Sequence, residues 1–206
     1  MTEIIKLPGG RAASYRVIGT GIPALLFPAG PGRASTLMTA DAELFPTVLR
    51  SYLIDPPGAG SSTPPQDAAD YSPAWCARFY EQVRTALGLD KVVAFGHSQG
   101  ATAALAYAAS YPRQTAACVA VAPVDIPASL DRVSCRTLVI AGELDPSFEP
   151  TPVRRAVEGI RQSDFVTLPG CGHLPALDTP AEYRQVVLDF FRSCDYASTS
   201  SFSGCR

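Results

Sequence analysis

Ser98 is the residue whose surroundings are most typical of a nucleophile. It lies at the centre of Gly96-His97-Ser98-Gln99-Gly100, a G-x-S-x-G pentapeptide. The apolar stretch 91–95 before it predicts a buried strand, and the alanine-rich stretch 99–110 after it predicts a helix. A sharp turn between the two would hold the serine in a strained backbone conformation, with its hydroxyl exposed at the top of a sheet. The spacing therefore predicts a nucleophile elbow.

A serine hydroxyl is a poor nucleophile at neutral pH unless a base lies within hydrogen-bond reach. The chain contains two histidines. His97 adjoins Ser98 on the elbow, where neighbouring side chains diverge, so it is poorly placed to take the hydroxyl proton. His173 remains, in a loop rich in glycine and proline directly after a predicted strand. We therefore predict that His173 is the general base.

A carboxylate is needed to orient the base and to stabilise its protonated form. Asp145 follows a predicted strand and lies between the serine and the histidine in the chain, which is the order expected after a nucleophile elbow. Two alternatives stay open. Asp125 follows the neighbouring predicted strand, and Glu143 lies in the same loop as Asp145. Asp145 is the preferred candidate.

An oxyanion formed during acyl transfer requires N–H donors that are already in place. The backbone amide of Gln99, at the start of the predicted helix, is one candidate. The second is Gly30, in the loop Pro28-Ala29-Gly30-Pro31-Gly32 that follows a predicted strand. Pro31 has no N–H and cannot serve.

Together these motifs resemble those of the α/β-hydrolase family, and the resemblance covers nearly all of residues 1–192. Besides the elbow, four segments carry it: Gly142-x-x-Asp145, Gly170-x-Gly172-His173-x-Pro175, the D-x-x-G-x-G-x-S turn at 55–62, and the loop at 28–32. The resemblance implies an α/β-hydrolase fold with the activity of a serine hydrolase. It also implies a structural role for the turn at 55–62.

Two departures from the family pattern are visible. The loop at 28–32 is similar to the H-G-G-P-G oxyanion loop of proline-iminopeptidase-like members, except that Pro28 replaces the histidine. Family members usually carry a helical cap where this chain has only the fourteen residues Pro123–Arg136. We therefore expect a minimal, capless form with an open, shallow site and weak substrate discrimination.

Strand-like and helix-like stretches alternate along the chain, which predicts a doubly wound, mainly parallel α/β sheet with helices on both faces. We expect one domain over residues 1–192 and a disordered serine-rich tail over 193–206. The predicted strands are 4–7, 14–18, 24–27, 51–55, 91–95, 117–122, 137–141 and 165–168, and the predicted helices are 36–50, 73–87, 99–110, 152–162 and 181–191. Active sites in such sheets lie at the carboxyl ends of the strands.

Composition excludes several other classes. A net charge of −2 gives no reason to expect nucleic acid or an anionic membrane as a partner. No signal peptide or membrane span is visible, so we expect a cytoplasmic protein whose six cysteines are mostly reduced. Neither histidine stands at ligand spacing from a cysteine pair, so we expect no metal site and no cofactor.

These observations predict a serine esterase that acts on a small-molecule ester through an acyl-enzyme. An aminopeptidase, amidase or acyltransferase would use the same three side chains. A non-catalytic binding protein of this fold is the alternative from another class. A homo-oligomer, in which a second subunit covers the surface exposed by the missing cap, is a further hypothesis.

Overall fold

The strands of this chain lie side by side in one sheet. A computed structural model describes residues 1–30, 32–67, 71–127, 130–147, 153–154 and 157–194. Over these residues the strands are β1 (Glu3–Lys6), β2 (Ala12–Ile18), β3 (Ile22–Phe27), β4 (Leu49–Ile54), β5 (Val92–His97), β6 (Thr115–Val121), β7 (Arg136–Gly142) and β8 (Ser163–Leu168). Their order across the sheet is β1-β2-β4-β3-β5-β6-β7-β8.

The sheet is mainly parallel. The β1–β2 and β2–β4 pairs are antiparallel, whereas every pair from β4 to β8 is parallel. Each parallel connection must return across the sheet, and the helices in those connections cover its faces. The predicted fold class is therefore confirmed, and the carboxyl ends of β3, β5, β6, β7 and β8 share one edge.

Helices pack on both faces of the sheet. They are α1 (Thr39–Leu44), α2 (Pro73–Ala86), α3 (Gln99–Ser110), α4 (Pro175–Asp178) and α5 (Pro180–Ser193). Strand β3 shows how the faces divide, because Leu25 and Phe27 pack on the side of α2 and α3, while Leu26 packs on the side of α1 and α5. The two faces thus bury two separate apolar clusters, as expected of a strand that is covered on both sides.

The predicted helix over 36–50 is wrong in extent. A 3-10 turn at Ser35–Met38 leads into α1, which ends at Leu44. Pro46 cannot donate to a helical hydrogen bond and disfavours helical geometry in the residue before it. Strand β4 then begins at Leu49, which pairs with Ile22 of β3. The last residues of the predicted helix therefore pair in the sheet instead.

Other predicted elements differ at their ends. Of the helix predicted over 152–162, residues 152, 155 and 156 lie outside the described part; 153–154 and 157 are helical, whereas 158–162 form turns and a bend, so the helical part ends earlier than predicted. The final helix, α5, begins at Pro180 and continues through Ser193, so the first residue of the predicted tail is helical. Cys194 is also described, and residues 195–206 of that tail lie outside the described residues. The short helix α4 was not predicted.

The connection between β6 and β7 spans residues 122–135 and contains a 3-10 turn at Leu130–Arg132, with residues 128–129 outside the described part. None of the helices in the described ranges combines the length and apolar character needed to cross a membrane.

Candidate active site

Ser98 lies at the turn between β5 and α3, at the carboxyl edge of the sheet. Its backbone has φ 58° and ψ −125°, a region that residues with a side chain rarely adopt. The Ser98 N–H donates to the Val121 carbonyl at the end of β6, at 2.8 Å. Such a conformation costs about 1–3 kcal/mol and persists only where the surrounding structure imposes it. The predicted elbow is thus present as a strained strand-to-helix turn.

The two glycines of the elbow are required by close backbone contacts. A Cβ atom at Gly96 would collide with the carbonyl oxygen of Gly100. A Cβ atom at Gly100 would collide with the carbonyl oxygens of Phe27 and Pro28. The absence of a side chain at Gly100 therefore lets the loop after β3 lie directly against the first turn of α3.

That contact brings the two candidate oxyanion donors to the same place. Gln99 is the first residue of α3, where backbone N–H groups have no partner within the helix. Gly30 has φ +79°, a left-handed conformation that favours glycine. Within the described part of the chain, neither amide donates to another group, and both residues line one cavity.

His173 is joined to Asp145. His173 Nδ1 lies 2.6 Å from Asp145 Oδ2, and the Asp145 side chain is fully buried while that of His173 is 30% exposed. The other Asp145 oxygen, Oδ1, accepts the Ser147 N–H at 2.8 Å. Because a carboxylate accepts, the proton sits on Nδ1 and leaves Nε2 of a neutral imidazole free to take another.

The two other carboxylates that the sequence left open have different partners. Asp125 is exposed, and its Oδ1 accepts the N–H of Ile126 at 2.7 Å. Glu143 Oε2 accepts the N–H of Gly170 at 2.9 Å, so it holds the backbone of the histidine loop rather than the imidazole. The structure therefore pairs the imidazole with Asp145.

His97 has a contact that sequence reasoning missed. Its Nε2 donates to the backbone carbonyl of His173 at 2.7 Å, and the two imidazole rings lie 4.9 Å apart. Burial lowers the pKa of His97, which favours the neutral ring. From the sequence, His97 was weighed only as a possible general base for Ser98. Its position next to Ser98 was the signal that it could instead hold the loop of His173 against the elbow.

Asp178 is a second missed contact. Its Oδ2 accepts the N–H of Gly172 at 3.0 Å and the N–H of Leu174 at 3.2 Å, on either side of His173. Asp178 lies in the unpredicted helix α4, so no sequence motif pointed to it. Together with Glu143 and His97, it fixes the backbone that carries the imidazole.

No hydrogen bond joins Ser98 to His173 in the described part of the chain, and the observed link between the two segments is made by His97. Within the described residues, the Ser98 hydroxyl forms no hydrogen bond, while its neighbour His97 contacts His173 directly. Catalytic hydrogen bonds are often long before substrate binds and tighten in the complex.

The turn at 55–62 is held by its own polar contacts. Asp55 Oδ1 accepts from the Ser35 N–H at 2.9 Å and from the Ser35 hydroxyl at 2.7 Å, while Oδ2 accepts from the Ser14 hydroxyl at 2.8 Å. Ser62 Oγ donates to the Asp55 carbonyl at 2.6 Å. These contacts tie β2, β4 and the segment before α1 together, which is a structural role.

Metal ligands are not clustered in the described part of the chain, where no group of three or more His, Cys, Asp or Glu side chains is placed to hold an ion. The five described cysteines, 76, 118, 135, 171 and 194, are unpaired.

Comparison with known proteins places this geometry in a family. The sequence model of the alpha/beta hydrolase fold matches residues 23–134, more than half of the chain. The proline iminopeptidase of Neisseria meningitidis serogroup A / serotype 4A is 35% identical over 94 residues, which cover 46% of this chain and 30% of that protein. The match thus spans less than a third of that curated relative.

Solved structures share the whole fold at low identity. A bacterial membrane phospholipase A superposes with a TM-score of 0.82 at 16% identity, covering 94% of this chain and 87% of that one. A thermophilic esterase from Thermogutta terrifontis gives 0.79 at 21% identity, covering 93% and 98%. With its sheet order, its strained elbow and the matching family model, this chain belongs to the α/β-hydrolase fold family.

Proposed function

We propose that this protein is a serine hydrolase that cleaves carboxylic esters through a covalent acyl-enzyme. The observation that carries the proposal is the 2.6 Å contact between His173 and Asp145, in a loop that His97 holds against the elbow of Ser98. An oriented imidazole with a free Nε2, beside a serine in a strained turn, is the arrangement that activates a hydroxyl for attack on a carbonyl.

Acylation follows from these positions. Ser98 Oγ attacks the ester carbonyl carbon, and its proton passes to His173 Nε2. Asp145 stabilises the imidazolium that forms. The backbone amides of Gln99 and Gly30 donate to the oxyanion, and such preorganised donors are worth about 10²–10³ in rate each.

Release completes the cycle. The bond between the carbonyl carbon and the alcohol oxygen breaks, and the imidazolium gives its proton to that oxygen. Water then attacks the acyl-enzyme while His173 Nε2 takes one of its protons. The second tetrahedral intermediate collapses, the proton returns to Ser98 Oγ, and the carboxylic acid leaves. These steps use only the named groups and water.

The short connection over residues 122–135 supports a capless site. Fourteen residues are too few for a helical domain over the carboxyl edge. We therefore propose that the alcohol side of the substrate remains open to solvent and is weakly discriminated, because a closing cap would otherwise exclude water and shape that side.

An aminopeptidase is the second candidate, and the names of the curated relatives favour it. It would use the same Ser98, His173 and Asp145 but cleave an amide after an N-terminal residue. The chain spans 30% of the first of these relatives, so the parts of that protein outside the match have no counterpart in this comparison.

The experiment compares p-nitrophenyl acetate with prolyl p-nitroanilide, using the wild type and Ser98→Ala. We expect turnover of the ester, little or none of the anilide, and loss of ester turnover in the variant. Circular dichroism checks that Ser98→Ala is folded. Ester turnover retained by the folded variant would refute Ser98 as the nucleophile. Faster turnover of the anilide would favour the aminopeptidase.

A further inference from the structure

A cavity of about 250 Å³ opens beside the elbow. Its walls come from the loop after β3, the turn after β4, the start of α2, the first turn of α3 and the residues after β6. Gly30 and Gln99, the proposed oxyanion donors, both line it. A carbonyl held by these two amides would therefore have the cavity directly next to it.

The position of His173 decides which part of an ester can enter. His173 must protonate the leaving oxygen, so the alcohol lies on the imidazole side of the carbonyl. None of the described residues of the His173 and Asp145 loops lines the cavity. The substituent nearest the cavity is therefore the one that stays attached to Ser98, which is the acyl group.

The walls are mostly apolar and aromatic. The rings of Phe27 and Tyr80 stack with their centroids 3.8 Å apart, and the Tyr80 hydroxyl donates to the Leu26 carbonyl at 3.2 Å. Because the Tyr80 hydroxyl is bonded to the backbone of the sheet, its aromatic ring is the part that lines the cavity. Burial raises the pKa of Cys76 to about 11, so its thiol is neutral at pH 7 and presents a soft apolar surface.

The charge of the walls disfavours an anionic acyl group. Asp125 is the one charged residue among the described residues that line the cavity, and no Lys, Arg or His accompanies it. Arg33 lies against Gly30 but is not among the lining residues, so a carboxylate at the far end of an acyl chain would lose water without gaining a cationic partner in the walls, which is unfavourable.

The size of the cavity sets a limit on length. A volume of 250 Å³ equals roughly eight water volumes, and so about eight non-hydrogen atoms. Local contacts hold the walls in place, since the Tyr71 hydroxyl donates to the Pro57 carbonyl at 3.3 Å and Thr102 Oγ1 donates to the Asp125 carbonyl at 2.8 Å. Longer chains would have to leave the cavity.

We propose that this cavity is the acyl pocket of the ester-hydrolysing site, and that it takes an uncharged apolar acyl group of about six to eight carbons or a single aromatic ring. The inference rests on the ester hydrolysis proposed above, so its test separates the two.

The wild-type enzyme is assayed with p-nitrophenyl esters from acetate to dodecanoate, each below its aggregation concentration. Burying one methylene is worth about 0.8 kcal/mol, or roughly fourfold. We expect kcat/KM to rise at least tenfold from acetate to hexanoate and to fall at least tenfold again by dodecanoate. The p-nitrophenyl hemiester of succinate should be at least tenfold slower than the butyrate ester. Among hexanoate esters of different simple alcohols, kcat/KM should vary less than about threefold.

Cys76→Phe tests the location. It adds a ring inside the cavity and should lower the hexanoate-to-acetate ratio of kcat/KM at least tenfold. Ala74→Phe adds the same ring two residues earlier on α2, at an exposed position outside the cavity, and should leave the ratio unchanged. If Cys76→Phe does not fold, Ala103→Val adds two methyl groups to the same cavity and should lower the ratio about threefold.

The outcomes distinguish the two proposals. A flat acyl-length profile, or a ratio that Cys76→Phe or Ala103→Val leaves unchanged, in an enzyme that hydrolyses the acetate ester would overturn the pocket alone. A folded protein that turns over none of the esters would overturn the ester hydrolase and the pocket together.

Discussion

The elbow of Ser98 and the loop of His173 are positioned by different means. At the elbow, backbone packs against backbone, and Gly96 and Gly100 leave no room for a side chain. In the histidine loop, side chains from other segments hold backbone groups, as when Asp178 accepts two amides and His97 donates to a carbonyl. Close backbone packing, which only glycine permits, holds the nucleophile in place, whereas hydrogen bonds hold the base in place.

This difference predicts two kinds of mutational response. A change at the elbow should alter folding stability, because packed backbones cannot separate without losing contacts. A change around the histidine loop should alter catalysis with the fold preserved, since each hydrogen bond contributes only about 0.5–1.5 kcal/mol of stability. The predictions below are ordered from the largest expected effect to the smallest.

Asp145→Asn should have the largest effect on rate. The amide cannot hold the imidazole in the required tautomer or stabilise the imidazolium, so we expect kcat to fall about 10³–10⁴-fold. Steady-state kinetics with p-nitrophenyl butyrate measures it. Glu143→Gln is the matched control, since it makes the same change in the same loop while keeping an oxygen for the Gly170 amide, and it should stay within about threefold of wild type. The opposite ranking would mean that the acid is wrongly assigned.

Gly100→Ala should act through stability. Its added methyl group meets the carbonyl oxygens of Phe27 and Pro28, which are backbone atoms and cannot rotate away. We expect the free energy of unfolding to fall by at least about 1–3 kcal/mol, measured by urea denaturation. Gly170→Ala serves as a comparison, because a Cβ atom there meets nothing within 4 Å and only its φ of +65° opposes the change. Equal losses for the two variants would contradict the packing account of the elbow.

His97→Phe should reduce kcat about 10–100-fold while KM and the melting temperature change little. Phenylalanine keeps a ring at the position but removes the donor to the His173 carbonyl. His97→Gln should restore most of the activity, because its side-chain amide can donate to the same oxygen. If Gln were as impaired as Phe, His97 would act through its shape and not through the hydrogen bond.

Ser98→Gly and Ser98→Ala both remove the nucleophile, so any difference between them reports backbone strain. Glycine adopts a φ of 58° without the steric cost that a Cβ atom brings. We expect Ser98→Gly to be more stable than Ser98→Ala by about 1 kcal/mol. Denaturant unfolding of the two variants measures this difference. A more stable Ala variant would show that the turn is not strained.

The features that the sequence predicts lie mainly at the elbow, and those it misses lie mainly in the histidine loop. The elbow, the loop of Gly30 and the alternation of strands and helices depend on local composition, and the observed fold class agrees with them. Asp145 was the preferred partner of His173, but chain order does not separate it from Asp125 and Glu143, because all three lie between Ser98 and His173. All three follow strands at the same edge of the sheet, and the contact between His173 Nδ1 and Asp145 Oδ2 is what separates them.

One missed feature is a contact between distant segments, from His97 to the His173 carbonyl, and the other is a local contact in a helix that the sequence did not predict. Nothing near Asp178 in the sequence indicates that its carboxylate reaches back to the amides beside His173. The helix predicted over 36–50 failed for a related reason, because its helical pattern gave way to the pairing of Leu49 with β3. Local propensity is overridden where sheet pairing competes for the same residues.

The most direct test of the central claim is labelling of the protein with a fluorophosphonate probe, followed by peptide mapping. The probe reacts only with a serine that a working base activates. The account predicts one labelled residue, Ser98, with labelling lost in Ser98→Ala and strongly slowed in Asp145→Asn. A folded wild-type protein that takes up no label, or takes it up at another serine, would contradict the assignment of Ser98, His173 and Asp145 as a catalytic unit.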